Sequence, residues 1–203
     1  MKNKFIILGI GRYAQVIADA VVQSEDCLSG FLLDDSEEEE AIKNNLGRYS
    51  DAENFSDAVF IIGEKDNNKR ECLSKKYDGL NYTAVVHKNA SVGTGVRIGV
   101  GSYIGAGAII GTNTVIGDHV IIGDGAVIGD HSVIKEFSHL MARVNIGSGV
   151  TILDHTFIGL SATLKDNITI ASGTVIQTGE IVVKDMVMKM VYKRGAWIYK
   201  ENG

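Results

Sequence analysis

From residue 90 to residue 185 an aliphatic side chain returns at every sixth position. Cut from Ala90, this stretch falls into sixteen hexads without a slip, beginning ASVGTG, VRIGVG, SYIGAG and ending TVIQTG, EIVVKD. The third position is isoleucine in twelve hexads, leucine at Leu140 and Leu164, and valine at Val92 and Val182. Apolar residues at multiples of six drift around a cylinder of about 3.6 residues per turn and form no single face, so the pattern is not helical. The glycines within it would also cost a helix about 1 kcal/mol each. A hexapeptide period is instead the signature of a parallel β-helix. Each hexad supplies a short strand with one inward aliphatic residue, then a tight turn. The glycine that often follows the aliphatic residue frees the backbone where a side chain would crowd the corner. Three hexads close one triangular coil, and sixteen give roughly 25 Å of prism at a strand spacing of about 4.8 Å.

Before the repeat the pattern changes. Residues 4–8 (KFIIL) read as a buried strand, followed by a glycine turn and a helical segment over Gln15–Gln23. Further strands are expected at Leu28–Leu33, Ala58–Ile62 and Tyr82–Val86, with a helix near Asn67–Lys76. Alternating strands and helices imply a small parallel sheet. The first turn, Gly9-Ile10-Gly11-Arg12-Tyr13-Ala14, fits the G-x-G-x-x-A dinucleotide fingerprint, with Asp34-Asp35 following a little over 20 residues later. The same glycines also suit a tight turn with no ligand. The segment ahead of the repeat has room for one mononucleotide half only, which favours a nucleotide-linked sugar over NAD. Helix-terminal N–H groups near Gly11 would face its phosphates, and Asp34 or Asp35 would accept bonds from ribose or base. The acidic run Glu37–Glu40 reads as a solvated loop. The expected organisation is an α/β, half-Rossmann mononucleotide-binding domain over 1–86, an all-β parallel β-helix over 87–185, and a tail over 186–203.

Composition narrows the function classes. A net charge of −5 argues against general nucleic-acid binding, which needs a basic surface. No apolar run reaches the roughly 18–20 residues of a membrane span, and the apolar start breaks at Gly9, too soon for a signal-peptide core. Cys27 and Cys72 have no metal or disulfide spacing and read as reduced thiols of a cytoplasmic protein. With 24 glycines and no proline, the chain suits a regular, tightly turned architecture better than a disordered linker.

A βα mononucleotide unit followed directly by a hexapeptide prism resembles the bacterial nucleotide-sugar acetyltransferases. These comprise the enzymes of N-acetylbacillosamine and perosamine synthesis and the sialic-acid O-acetyltransferase group. The matching stretches are GIGRYAQVIAD, FLLDD, IIG, VVHKNASV and VIGDHSVIKEFSH, spread over nearly the whole chain. The resemblance implies a left-handed β-helix and a homotrimer binding acetyl-coenzyme A between neighbouring prisms. It also implies an amino sugar nucleotide held by the N-terminal domain and acetyl transfer to its amine, for surface glycan synthesis. A histidine acts as general base and an adjacent acid orients it. Two alternatives stay open: sugar O-acetylation of the sialic-acid type, and a non-catalytic nucleotide-sugar or acyl-coenzyme A binding protein. The chain departs from the family pattern in four places. Arg12, Tyr13 and Ala14 replace the end of a G-x-G-G-H-G turn, the histidine–acid pair stands reversed as Asp130-His131, Gly123 replaces an asparagine, and the glycine-x-proline-alanine segment near the end of the prism is absent.

The hexad register sorts the histidines. Residues 18 apart stack on one corner, so His119, Phe137 and His155 form a column beside Asp118, Glu136 and Asp154. His131 stands on another corner with Asp130. The candidate base is His131, with Asp130 or Glu136 setting its tautomer and charge, or Asp130 itself. Since G-D-H is also a plain turn, repeated at Gly117-Asp118-His119, a structural role for His131 is the competing reading. His119 and His155 lack the third histidine of a zinc set, so no metal is expected. The candidate substrate residues are Gly9, Gly11, Arg12, Tyr13, Asp34, Asp35 and Gly63. The resemblance puts coenzyme A near His139, Gly147, Lys165, Lys189, Lys193 and Arg194. The basic tail also suits a cap over the open end of the β-helix.

Overall fold

The computed structural model describes residues 3–24, 26–35, 44–193 and 196–199. Its N-terminal unit runs β1 (Lys4–Leu8), α1 (Arg12–Gln23), β2 (Cys27–Leu33), β3 (Asn45–Arg48), a 3-10 turn (Tyr49–Asn54), β4 (Val59–Ile62) and α2 (Asn67–Lys76). The sheet order is β3-β2-β1-β4, with every pair parallel. Side chains of β1 alternate as a period of two requires. Phe5 and Ile7 pack with Ala14, Ile17 and Val21 of α1, whereas Ile6 and Leu8 pack with Tyr49 and Phe60 on the other face. β3 was not expected: its sequence, NLGR, has a single apolar residue and no alternation to announce a strand. The acidic run Glu37–Glu40 lies outside the described residues.

The prism follows the hexad register closely. Two-residue strands occupy the second and third hexad positions from Ser91–Val92 to Ile181–Val182. They stack into three parallel sheets that fit a left-handed β-helix. Third-position side chains from Ile104 to Val182 are buried in one core, whereas Val92 at the open first coil is 42% exposed because no coil covers it. The strand expected over 82–86 is two pieces. Tyr82 bridges to Phe60 of the N-terminal sheet, and Val85–Val86 pairs with Tyr103–Ile104 of the prism. The prism therefore starts one hexad before Ala90.

Two features of the hexad differ from the expectation of one inward residue and a flexible glycine after it. First-position residues are also inward: Ala108, Val120, Val144 and Val150 are fully buried, and so are Ser102, Thr114, Ser132, Ser138, Thr156 and Thr174. Buried hydroxyls need partners, and five of these six find them on carbonyls. Ser102 Oγ donates to the Gly117 carbonyl at 2.8 Å, Thr114 to Gly129 at 3.0 Å and Ser132 to Gly147 at 3.1 Å, each on the next coil. The left-handed backbone falls on the sixth position, at φ between 53° and 76° for glycines and non-glycines alike over 95–179. His119, His131, Phe137 and His155 all take that conformation, which L-residues adopt at a cost of about 1–2 kcal/mol. The fourth-position glycine serves close approach instead. At Gly129 a Cβ would overlap the Ser148 backbone nitrogen of the coil above.

One prism sheet, carrying Val85, Tyr103 and Ile121, is covered by the N-terminal unit through α1. The same sheet is extended at its far edge by Met190–Lys193, which pairs with Val175–Ile176 and turns back through Ala196–Tyr199. That hairpin occupies the edge the tail was expected to cap.

Candidate active site

At the C-terminal edge of the small sheet, β1 and β4 end side by side on Gly9 and Gly63. Gly9 N–H donates to the Leu32 carbonyl and Gly63 N–H to the Leu8 carbonyl. Gly9 has φ 112°, and a Cβ there would lie 3.4 Å from the Tyr49 hydroxyl and 3.5 Å from the Gly63 carbonyl oxygen. A Cβ on Gly63 would meet that of Ala14 at 2.6 Å, so glycine here lets α1 pack onto the sheet. Gly11 is the N-cap of α1 and a Cβ there would meet nothing within 4 Å. Because β1 connects through α1 on one side and β4 pairs on the other, this edge is the topological switch where open α/β sheets bind ligands. Arg12 is exposed beside it.

Two of the expected substrate residues are engaged elsewhere. Asp35 accepts from the Ser50 backbone and hydroxyl, from Lys76 and from Tyr77. Burial pushes its carboxyl up, but these bonds outweigh it and bring the pKa down to about 2. It ties β2 to the 3-10 turn and α2 and is not an idle ribose acceptor; Asp34 stands beside it, its carbonyl held by Arg48. Tyr13 faces the prism, edge-on to Tyr103 at 5.8 Å, with its hydroxyl buried and without a hydrogen-bond partner. Burial, reinforced by Tyr103, raises that hydroxyl's pKa well above the usual value.

His131 stands at the prism corner opposite the covered sheet. Its Nδ1 lies 2.8 Å from Asp130 Oδ2, and its Nε2 lies 3.1 Å from the Asn113 amide nitrogen. A carboxylate can only accept and an amide nitrogen can only donate. Nδ1 therefore carries the proton, and the Nε2 lone pair accepts from the Asn113 amide. Asp130 is itself fixed by Ser148 Oγ at 2.5 Å. The bonds from Ser148 and His131 hold its carboxyl below the usual range, and Asp130 fixes the ring of His131. Glu136 is not brought to His131. It stands at the next corner, stacked between Asp118 and Asp154 as the register requires, with its carbonyl accepting from His155 N–H. Gly147 and the exposed Lys165 follow Asp130 up the His131 corner.

The remaining candidates gather elsewhere. His119, Phe137 and His155 form the expected column, with ring centroids 5.3 Å apart at each step. His155 repeats the His131 arrangement: Nδ1 is 3.0 Å from Asp154 Oδ2, and Asp154 accepts from Ser172 Oγ at 2.6 Å. Its Nε2 lies 3.1 Å from Glu71 of α2. Between α2 and the prism opens a cleft of about 410 Å³ lined by Lys65, Asn67, His139, Met141, Phe157 and Lys189, among others. Of the expected coenzyme residues, His139 and Lys189 thus lie apart from Gly147 and Lys165. Arg194 and the side chain of Lys193 lie outside the described residues.

One residue had no signal in the sequence. Arg70, 1% exposed, donates to the carbonyls of His119, Glu64, Lys65, Phe137 and Ser138 and to Asn67 Oδ1. Desolvation lowers its pKa to about 10. It fastens the loop after β4 to two coils of the prism and so forms one wall of the cleft. Among the described residues no cluster of His, Cys, Asp or Glu is arranged to hold a metal ion, and no helix is long and apolar enough to cross a membrane.

The whole arrangement has solved counterparts. A variant of perosamine N-acetyltransferase from Caulobacter crescentus, in complex with CoA and GDP-perosamine, superposes with a TM-score of 0.87 at 22% identity, over 98% of each chain. The acetyltransferase domain of PglB from Neisseria gonorrhoeae FA1090 gives 0.83 at 20% identity, over 93% of this chain and 95% of that one. WeeI from Acinetobacter baumannii AYE gives 0.83 at 20% identity, over 97% and 100%. At these identities the shared property is the fold, both units together. No curated protein sequence matches this one. Residues 80–192, more than half of the chain and nearly the whole prism, match the family model described as the GMPPB C-terminal domain. The chain therefore belongs to the family of the GMPPB C-terminal domain.

Proposed function

We propose that this protein is an acyltransferase that moves an acetyl group from acetyl-coenzyme A to the amine of a nucleotide-linked amino sugar. The observation that carries the reading is the joining of two parts: a glycine-lined switch-point edge fit for a nucleotide, and a prism whose exposed His131 is held by Asp130 with its basic Nε2 facing Asn113, an exposed amide that an acceptor amine would displace. The perosamine N-acetyltransferase of the same two-unit fold holds CoA and GDP-perosamine. In this reading the sugar amine attacks the thioester carbonyl, and His131 Nε2 takes the amine proton and returns it to the departing thiolate. The products are the N-acetyl sugar and free coenzyme A. Asp130 holds the tautomer and offsets the imidazolium charge. Thiol release from acetyl-coenzyme A with a panel of UDP-, dTDP- and GDP-linked amino sugars tests it. One acceptor is expected to turn over, and His131→Ala is expected to lower kcat by about 10²–10³-fold. Full activity in His131→Ala removes the base assignment. Coenzyme A binding without turnover on any acceptor favours a binding protein.

The reading requires more than one protomer. Within a chain the glycine edge and His131 lie on different sides of the prism, so His131 must meet a neighbour's sugar. The sheet adjoining the His131 corner presents Ile109, Val127 and Ile181 to solvent at 49%, 37% and 64% exposure. Exposed aliphatics on a flat face, two adjacent at Ile109 and Val127 and one at Ile181 beyond Asn145 and Thr163, suit a closed cyclic assembly, and a triangular prism suits a homotrimer. Sedimentation at micromolar concentration is expected to give three times the 21.8 kDa chain mass; a monomer would rule out a site shared between prisms.

A further inference from the structure

The cleft between α2 and the prism holds one histidine that hydrogen bonding leaves half used. His139 is 6% exposed, and its Nδ1 lies 3.2 Å from the Lys65 carbonyl oxygen. A carbonyl only accepts, so Nδ1 must carry the hydrogen. Nε2 is then a bare lone pair, with no hydrogen-bond partner among the described residues, on a side chain that lines the cleft. The ring is fixed on three sides. Phe157 meets it edge-on at 5.4 Å, Tyr13 lies at 6.2 Å, and Arg70 locks the Lys65 carbonyl at 3.1 Å. Burial, with the Arg70 charge adding to it, lowers the His139 pKa to about 4, so the ring is neutral at pH 7 and the lone pair available.

The cleft is also the continuation of the glycine edge. Gly63 ends β4, Lys65 is two residues on, and two residues span at most about 7 Å. Tyr13, two residues beyond Gly11, touches His139 from the other side. A ligand whose phosphates lie over Gly9, Gly11 and Gly63 would enter the cleft with whatever group it carries beyond them. The walls suit a partly polar ring: Phe157 and Met141 offer apolar contact, Asn67 and the ammonium groups of Lys65 and Lys189 offer donors, and His139 offers the acceptor.

We propose that this cleft is the sugar pocket of the bound nucleotide conjugate, with His139 Nε2 accepting a hydrogen bond from an amine or hydroxyl of the sugar. His139 is thus a substrate-binding residue, in place of the coenzyme contact that the resemblance implied for it. The inference rests on the nucleotide-sugar reading above. The test is calorimetric titration of the full chain with UDP, dTDP and GDP and with their amino-sugar conjugates, in wild type, His139→Phe, His139→Gln and Met141→Trp. His139→Phe keeps the ring packing and deletes the acceptor. It is expected to weaken the conjugate about tenfold and leave the bare nucleotide unchanged, the loss of one neutral hydrogen bond. His139→Gln, whose amide can donate to Lys65 while its oxygen faces the cleft, is expected to restore most of that loss. Met141→Trp fills the cleft and leaves His139 in the sequence, and it is expected to exclude the conjugate alone, which decides the matter if His139→Phe does not fold. Unchanged conjugate affinity in both His139→Phe and Met141→Trp overturns the pocket assignment. So does an equal loss for bare nucleotide and conjugate, or a loss confined to acetyl-coenzyme A. If wild type binds bare nucleotides, any such failure belongs to the pocket alone; if it binds no nucleotide, bare or conjugated, both readings fall together.

Discussion

Replacing Arg70 with alanine is expected to cost about 3–5 kcal/mol, the range for removing a buried charged group and stranding its partners. Six acceptors lose a donor at once: the carbonyls of His119, Glu64, Lys65, Phe137 and Ser138, and Asn67 Oδ1. α2 otherwise meets the prism through its rim, where Asn67 donates to the His155 and Thr156 carbonyls and Glu71 lies 3.1 Å from His155 Nε2. Its sequence is NNKRECLSKK, and Arg70 and Ser74 are its only buried residues. The guanidinium, five donors in a rigid plane, reaches both coils and the loop together. An Arg70→Lys ammonium has three donors on one nitrogen and serves one region only, so lysine is expected to recover less than half of the loss. For a chain of this size the alanine variant should melt about 10 °C lower. A shift under about 2 °C in scanning calorimetry would show that the junction is held by something other than Arg70.

Arg70 also marks the limit of what the sequence conveys. The prism was legible because its core repeats a single physical requirement, one inward aliphatic side chain per hexad, and repetition turns a weak local signal into a strong one. The same register predicted the His119–Phe137–His155 column, since stacking at 18 residues follows from three hexads per coil. Inward serines and threonines were missed because a hydroxyl at Ser102 or Ser138 looks solvent-seeking until the neighbouring coil offers its carbonyl. β3 was missed because an edge strand can be specified by pairing with β2 alone, and NLGR carries no alternation. Asp35 illustrates the opposite failure. Its spacing from Gly11 fits a ribose ligand, but Ser50, Lys76 and Tyr77 come to it from elements that spacing cannot see. Asp130 and His131 were legible as a pair. How each is held required Asn113, which meets His131 Nε2, and Ser148, which fixes Asp130, each 18 residues away on a neighbouring coil.

The second large effect is an acid sensitivity that sets in well above the carboxylate range. His119 and His139 are both 6% exposed, and burial lowers each from about 6.5 to about 4. For His119, Asp118 opposes the shift and Arg70 adds to it; for His139, Arg70 adds to it. The sign follows from proton counting. Between pH 6.5 and 4 the unfolded chain binds protons at these two positions that the folded chain refuses, so stability falls as pH falls through that window and is complete above it. A shift of this size corresponds to about 3 kcal/mol for each histidine. The lowered carboxyls of Asp35, Asp130 and Asp154 give way only further down, toward and below pH 4, so the window belongs to the histidines. Urea midpoints are expected to drop steeply from pH 7 to 4.5. His119→Phe should flatten about half of that drop, since its ring already stacks on Phe137 and its Nδ1 has no partner to lose. A variant that keeps the full slope would mean that His119 takes up its proton in the folded state as readily as in the unfolded one, and that its place between Tyr82 and Phe137 opens to water before the prism does.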